Sequence, residues 1–534
     1  MRSGRIGLPR LARLPSNTVS AAAKEPATET TTHPALRLTG AGLTTADVAQ
    51  VARGGRWVEL DQAAVERMQA SRAVVERLVA EGRTAYGITT GFGDLADVRI
   101  EPAQTAELQR NLVRSHAAGV GEPLAAEVVR AMLLLRANAL AVGLSGVRPA
   151  VVELLIGMLN HQVHPLVPSR GSVGASGDLA PLAHLALVAI GEGEAWVDQA
   201  GPGPGAEALE RAGLQPLTLD AKEGLALLNG TQLMGSLAAL ALEDAHRLAV
   251  SADVIGAMSL EAMLGTATAF DPALVEARPH PGQVAVAAHL RRLLDGSEIG
   301  DSHAQSAHKV QDAYSLRCMP QVHGAVRDAL DQLERVLAVE MNAATDNPLV
   351  FPSGEVVSGG NFHGEPLALA IDYAKAAIAE LASISERRSA RLVDAHLSGL
   401  PAFLTDAPGL RSGLMIAQYS AAALVNELQT LAHPSSVDTI PTSANQEDHV
   451  SMGATSALHL REAVDRTETV LAIEALLAAQ GLDFRAPLKP GAGVARGHDR
   501  LRAMVPHLDE DRPPADDIAE VRELLRVGEL AFDD

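Results

Sequence analysis

Cysteine is almost absent. Cys318 stands alone in 534 residues, which excludes an internal disulfide framework, suits a reducing compartment and leads us to expect a cytoplasmic protein. Aromatic side chains are nearly as scarce at 2 %, so the core must be assembled mostly from the Ala and Leu within the 47 % hydrophobic content, residues that favour closely packed helices. Positive charge is in deficit: the formal net charge is -21, which argues against nucleic acid or an anionic membrane surface as a partner. No uncharged apolar run is long enough to cross a bilayer. Internal repeats, sustained heptads and a long internal linker are missing too. The pair His161 and His164 lacks the further ligands that a metal site needs. Gly201-Pro-Gly-Pro-Gly205 opens no clear helix, so neither a metal nor a nucleotide is expected as cofactor.

What is present reads as a mainly α chain, a long-helix bundle with a smaller mixed N-terminal region. Residues 1–34 combine four early arginines with a Thr/Pro/Glu-rich stretch. A transit peptide has such an Arg-rich start, but a disordered extension is the preferred reading. Residues 35–228 form the N-terminal region, 229–482 a central bundle, and 483–534 a C-terminal helical piece, the whole of 35–534 acting as one unit. Helices are predicted from Thr45, over Gln62 to Gly82, Glu107 to Ala118, Leu124 to Gly143 and Pro149 to Leu159. A long helical pattern runs from Lys222 to about Ala269. Further helices are predicted over Val326 to Asn342, Pro366 to Arg391, Gly409 to Ala432 and Asp516 to Val527, with a hairpin over Leu349 to Ser358. Ser443-Ala-Asn-Gln446 reads as a capping box opening a helix that continues through Gln480.

The chain is organised around Gly171-Ser-Val-Gly-Ala-Ser-Gly-Asp-Leu-Ala-Pro-Leu182. Asp178 is placed as N-cap of an apolar helix that tolerates Pro181 in its first turn. One reading is a Gly-rich turn leading into a core helix. The other is chemical. If the chain is compressed here, the amide nitrogen of Gly177 can attack the carbonyl carbon of Ala175, and loss of water from Ser176 leaves a methylidene on a five-membered imidazolone. Glycine leaves its nitrogen unhindered, alanine is small enough for close approach, and serine carries a hydroxyl that can be eliminated.

Other stretches also admit two readings. Ala85-Tyr-Gly-Ile-Thr-Thr-Gly-Phe-Gly93 is a surface loop or a lid carrying the Tyr86 phenol as a base. His116 is a charge partner for a helix C-terminus or a site group. Asn229 can simply be an N-cap. Gln311, Tyr314 and Arg317 are three apart, which on a helical turn makes either a solvated polar face or a carboxylate clamp. Glu447 suits a helix N-terminus without any catalysis.

Taken together and in this order, these motifs resemble the aromatic amino acid ammonia-lyases over nearly the whole chain from about residue 36. The resemblance implies the cofactor 4-methylidene-imidazole-5-one, MIO, formed from Ala175, Ser176 and Gly177. It implies Tyr86 as base or proton relay, Asn229 beside the MIO, Tyr314 as a catalytic group and Gln311 as a substrate contact. Arg317 becomes a carboxylate clamp, and Phe362 of Gly-Gly-Asn-Phe-His-Gly and Glu447 of Asn-Gln-Glu-Asp-His become substrate-binding residues. A homotetramer whose active sites combine loops of different subunits is implied as well. The Tyr86 phenol, near pKa 10 when free, must be lowered by positive dipoles to act near neutral pH.

Within the family, His116 and Glu447 suit an imidazole ring, since an apolar ring would leave each unpaired at a cost of about 1–3 kcal/mol. The expected reaction is the non-oxidative deamination of L-histidine to trans-urocanate and ammonia, the first step of histidine degradation. A lyase acting on tyrosine or phenylalanine, or an MIO aminomutase, would share the cofactor motifs. A non-catalytic helical scaffold is the remote alternative.

Overall fold

A computed structural model describes residues 34–83, 85, 87, 88, 90, 104–196, 201–304 and 310–533. Tyr86, most of its loop, and the extension up to residue 33 lie outside the described residues. Residues Ala35–Asp534 form one compact unit. The structure bears out the mainly α expectation.

Three long helices make the centre: Gln232–Ala262, Glu365–Val393 and Gly453–Asp483. They run parallel. At one end the Met234 side chain lies against Gly364 and Gly453, where an added Cβ would fall 2.6 and 2.7 Å from its sulfur. At the other end Ser259 Oγ donates to Glu474 Oε1 at 2.6 Å, and Arg388 Nη2 donates to Glu474 Oε2 at 2.8 Å. Helix Met319–Glu340 runs the opposite way, its His323 meeting Arg388 and its Glu340 accepting from Thr231 Oγ1. Helix Met415–Leu431 is also antiparallel to its neighbour 365–393, with Gln418 on Glu386 and the carbonyl of His433 on Lys375. The Ala- and Leu-rich 232–262 helix is buried on nearly every side, as a helix apolar all round must be. With few rings available, small side chains bring these helices together, and the core is continuous from the N-terminal region through the bundle.

The strands are short and serve as clasps. Leu36–Leu38 pairs in parallel with Val58–Leu60, and Leu349–Val350 pairs with Val356–Val357 in the predicted hairpin. Val120–Pro123 lies antiparallel to Pro168–Arg170, with Val120 opposite Arg170, and delivers the chain to Gly171.

Three local readings need correction. The 222–269 pattern is not one helix: Glu223–Leu228 ends at Asn229, whose extended backbone (φ -91, ψ 93) makes it a C-cap, and the long helix starts at Gln232. Ser443–Asn445 opens no helix; its residues have φ of 50, 51 and 71, and the helix begins only at Gly453. Left-handed backbone at three successive non-glycine residues cannot continue into a right-handed helix. Asp178 does precede helix Leu179–Ala189, but its side chain does not cap it.

Candidate active site

The loop 171–178 is tied down by the starts of all three long helices. Asp178 N–H donates to Gly230 O at 2.7 Å, and Gly177 bridges to Gly230. Gly364 N–H reaches Gly174 O at 3.3 Å, Ser451 Oγ donates to the same carbonyl at 3.1 Å, and Met452 N–H donates to Val173 O at 2.9 Å. Gly177 has φ +74, and a Cβ there would fall 2.2 Å from Gly230 O, so only glycine fits. Ala175 is buried and Ser176 half-buried. A cyclised Ala-Ser-Gly unit fits this cradle: Gly177 is in the left-handed region, the flanking carbonyls are held, and the Asn229 Oδ1 close by in sequence to Gly230 is buried without a partner.

Asp178 explains how the cradle is fixed. Its Oδ1 accepts from Ser172 Oγ at 2.7 Å, and its Oδ2 accepts from the backbone N–H of Leu233 and Met234 at 2.9 and 3.0 Å. It therefore caps the 232–262 helix rather than its own. Burial pushes its carboxyl up to about 6, against the pull of those three donors.

Ser176 Oγ donates to Glu447 Oε1 at 2.7 Å, although the two are 271 residues apart. The other carboxylate oxygen, Oε2, accepts from Thr442 Oγ1 at 2.6 Å. His116 ends helix Thr105–His116, where its Nδ1 lies 2.9 Å from Leu112 O. Donation from Nδ1 to that carbonyl leaves Nε2 as an acceptor. Burial lowers the His116 pKa, while the charge of Glu447 acts the other way, which puts the two groups in one electrostatic neighbourhood. Phe362 is half-buried two residues before Gly364. Asn229 is 4 % exposed, its Nδ2 donating to Asn347 O at 3.4 Å. Thus Ser176, Glu447, His116, Asn229 and Phe362 belong to one end of the bundle.

Gln311, Tyr314 and Arg317 do not join them within one chain. The Arg317 guanidinium carbon lies 4.7 Å from the centre of the Tyr314 ring, and Arg317 Nε is buried without a partner. Tyr314 is 71 % exposed. The short helix covers only Tyr314–Arg317, so Gln311 precedes it and does not share its face; it lines a cavity of about 570 Å³ with Glu261 and Asp312. Arg388 Nη1 donates to Ser315 O at 3.3 Å, which fixes this segment at the far end of the bundle. Gly364 and Arg388 are 24 residues apart on one helix, about 36 Å at 1.5 Å per residue.

Sequence reasoning missed two groups beside the cradle. Thr442 gives no motif signal, lying in a strained turn whose contact with Glu447 only the folded chain reveals. The second is a buried cationic pair. Lys222 Nζ donates to Asp346 Oδ2 at 2.8 Å with both side chains buried. Arg136, also buried, donates to Gln232 Oε1 at 2.9 Å, and burial lowers its pKa to about 10. Buried charges in an apolar sequence context were the available hint.

Comparison with known proteins agrees with this geometry. The family described as aromatic amino acid lyase matches residues 43–503. A histidine ammonia-lyase of Anaeromyxobacter sp. (strain K) is 57 % identical over 503 residues, covering 93 % of this chain and 99 % of the relative. The crystal structure of histidine ammonia-lyase from Trypanosoma cruzi superposes with a TM-score of 0.87 at 44 % identity, covering 93 % of this chain and 94 % of that one. Tyrosine aminomutase from Streptomyces globisporus superposes with a TM-score of 0.88 at 38 % identity, covering 93 % and 98 %. By its sequence, its helical architecture and the loop held at the head of the bundle, the chain belongs to the aromatic amino acid lyase family.

Proposed function

We propose that this chain removes ammonia from L-histidine without oxidation, giving trans-urocanate. The observation that carries the reading is the hydrogen bond of Ser176 to Glu447, with His116 in the range of the Glu447 charge. A carboxylate on the reactive serine and an imidazole nearby suit a ring with two nitrogens, and the relatives named histidine ammonia-lyase support the same substrate.

The MIO made from Ala175, Ser176 and Gly177 supplies an electrophile that activates the substrate for elimination. The remaining work falls to the chain. Arg317 clamps the substrate carboxylate, for which a planar guanidinium is well suited, and Tyr314 stacked on it fixes its direction. Gln311, which lines the cavity before the Tyr314–Arg317 helix, is a further substrate contact. His116 and Glu447 hold the imidazole nitrogens, Asn229 and Phe362 border the reactive group, and Tyr86 takes the proton from the substrate β-carbon.

The separation of the two groups of residues supports a homotetramer with shared sites: one copy brings Arg317 to the Ser176 of another. Tyr373 with Leu369 on the 365–393 helix, and Tyr419 with Ile416 on the 415–431 helix, are exposed apolar pairs that suit burial against a second copy. No helix among the described residues is long and apolar enough to cross a membrane. The single-cysteine composition supports a cytoplasmic location.

Ultraviolet absorbance of the purified protein with L-histidine, and separately with L-tyrosine and L-phenylalanine, tests the proposal. A rising imidazole-acrylate band with histidine alone is expected. A rise only with the other amino acids overturns the substrate, and a β-amino acid product would make the chain an aminomutase.

A further inference from the structure

We propose that Glu447, held by Thr442, is also the acid that takes the hydroxyl off Ser176 while the electrophile is being made. This rests on the function proposed above, and it concerns the maturation of the chain, not its turnover.

Serine loses hydroxide poorly unless a proton reaches the departing oxygen. In the folded chain Ser176 Oγ is hydrogen-bonded to Glu447 Oε1 at 2.7 Å, within reach of direct proton transfer. The neighbouring acid, Asp178, is not free for this task. Ser172 occupies its Oδ1, and two backbone amides occupy its Oδ2. Glu447, in contrast, spends only Oε2 on its support from Thr442 and presents Oε1 to Ser176.

The support is built at a cost. Thr442 and Glu447 exchange backbone hydrogen bonds, N–H to O at 3.0 Å one way and 3.3 Å the other. The turn between them is closed by Ser443, Ala444 and Asn445, all left-handed. Each such residue costs roughly 1–2 kcal/mol, and strain of this kind is retained where surrounding contacts fix a working geometry. Here it fixes one carboxylate against one hydroxyl.

The step balances without any other reagent. The Glu447 carboxylate takes the proton released from the Ser176 Cα, directly or through water, and passes it to Oγ as the Cβ–O bond breaks. The electron pair of the Cα–H bond becomes the Cα=Cβ double bond, and the hydroxyl leaves as water. The other water lost on maturation takes the Ala175 carbonyl oxygen with the amide protons of Ser176 and Gly177, and needs nothing from Glu447.

The test is the intact mass of the full-length chain, followed with time after cell-free synthesis, with methylidene absorbance read alongside. The unsubstituted chain loses two waters. Glu447→Gln, which keeps a hydrogen-bonding group but cannot pass the proton, is expected to retain the serine hydroxyl and remain one or two waters heavier, with maturation slowed about a hundredfold or more. Thr442→Val is expected to mature about tenfold more slowly, and Thr442→Ser to restore the rate, which a merely structural role for the methyl-bearing side chain would not produce. Circular dichroism and elution volume show whether each variant is folded. A folded Glu447→Gln chain that reaches the mature mass at the unsubstituted rate overturns the proposal. An unsubstituted chain that loses no water overturns instead the functional reading on which it rests.

Discussion

Ser176 is the residue on which the proposed chemistry depends, and Gly177 the one that constrains the backbone around it. Ser176→Ala is expected to abolish methylidene absorbance and most turnover while helical circular dichroism stays unchanged; near-normal turnover would remove the serine from the mechanism. Gly177→Ala places a Cβ 2.2 Å from Gly230 O at φ +74, so it should lower stability by about 1–3 kcal/mol in chemical denaturation and block maturation. Both residues could be picked out of the sequence because their types are dictated by chemistry. Thr442 could not, because its role comes from a strained turn. Asp178 was legible only as a cap, and the wrong one: its carboxylate passes over its own helix to serve a helix that starts 54 residues later.

The helices themselves were largely readable, because Ala/Leu periodicity and glycine breaks are local signals. Glu365–Val393 lies close to its predicted span, while Met319–Glu340 starts seven residues before the predicted Val326. Errors arose where a third party decides the backbone. Asn229 is drawn into a C-cap next to the cradle, and the 443–446 stretch is folded onto Glu447 before a helix can start. The capping role of Asp178 yields a prediction at this scale. Asp178→Ala leaves the amides of Leu233 and Met234 and the Ser172 hydroxyl without their acceptor, and should cost about 1–2 kcal/mol. The folded value, raised to about 6, means that the native chain holds this proton more tightly than the unfolded chain. The contribution of Asp178 to stability is therefore greatest below its ordinary value, near pH 4, and is lost as pH rises through 6. The cost of Asp178→Asn, measured by urea denaturation, should shrink between about pH 4 and pH 7; a constant cost would mean that Asp178 keeps its ordinary affinity for the proton.

For the whole molecule, the decisive fact is that the two halves of the proposed site lie at opposite ends of the same helices. No sequence pattern gave that distance, since motif order says nothing of direction in space. Ser176→Ala and Arg317→Ala chains should each be inactive alone. Co-expressed at equal levels, they should assemble with roughly a quarter of sites carrying both native residues, and activity should return in that proportion. Failure to complement would place Ser176 and Arg317 of a working site on one chain.

The parallel course of the three central helices also polarises the molecule. Their amide ends gather around the 171–178 loop and their carbonyl ends around Ser315 and Arg388, so the bundle has a positive pole and a negative pole that two antiparallel helices only partly cancel. Copies laid head to tail would bring unlike poles together, the alignment that the proposed shared site requires. The direction of the peptide units thus favours the same arrangement that the proposed homotetramer calls for.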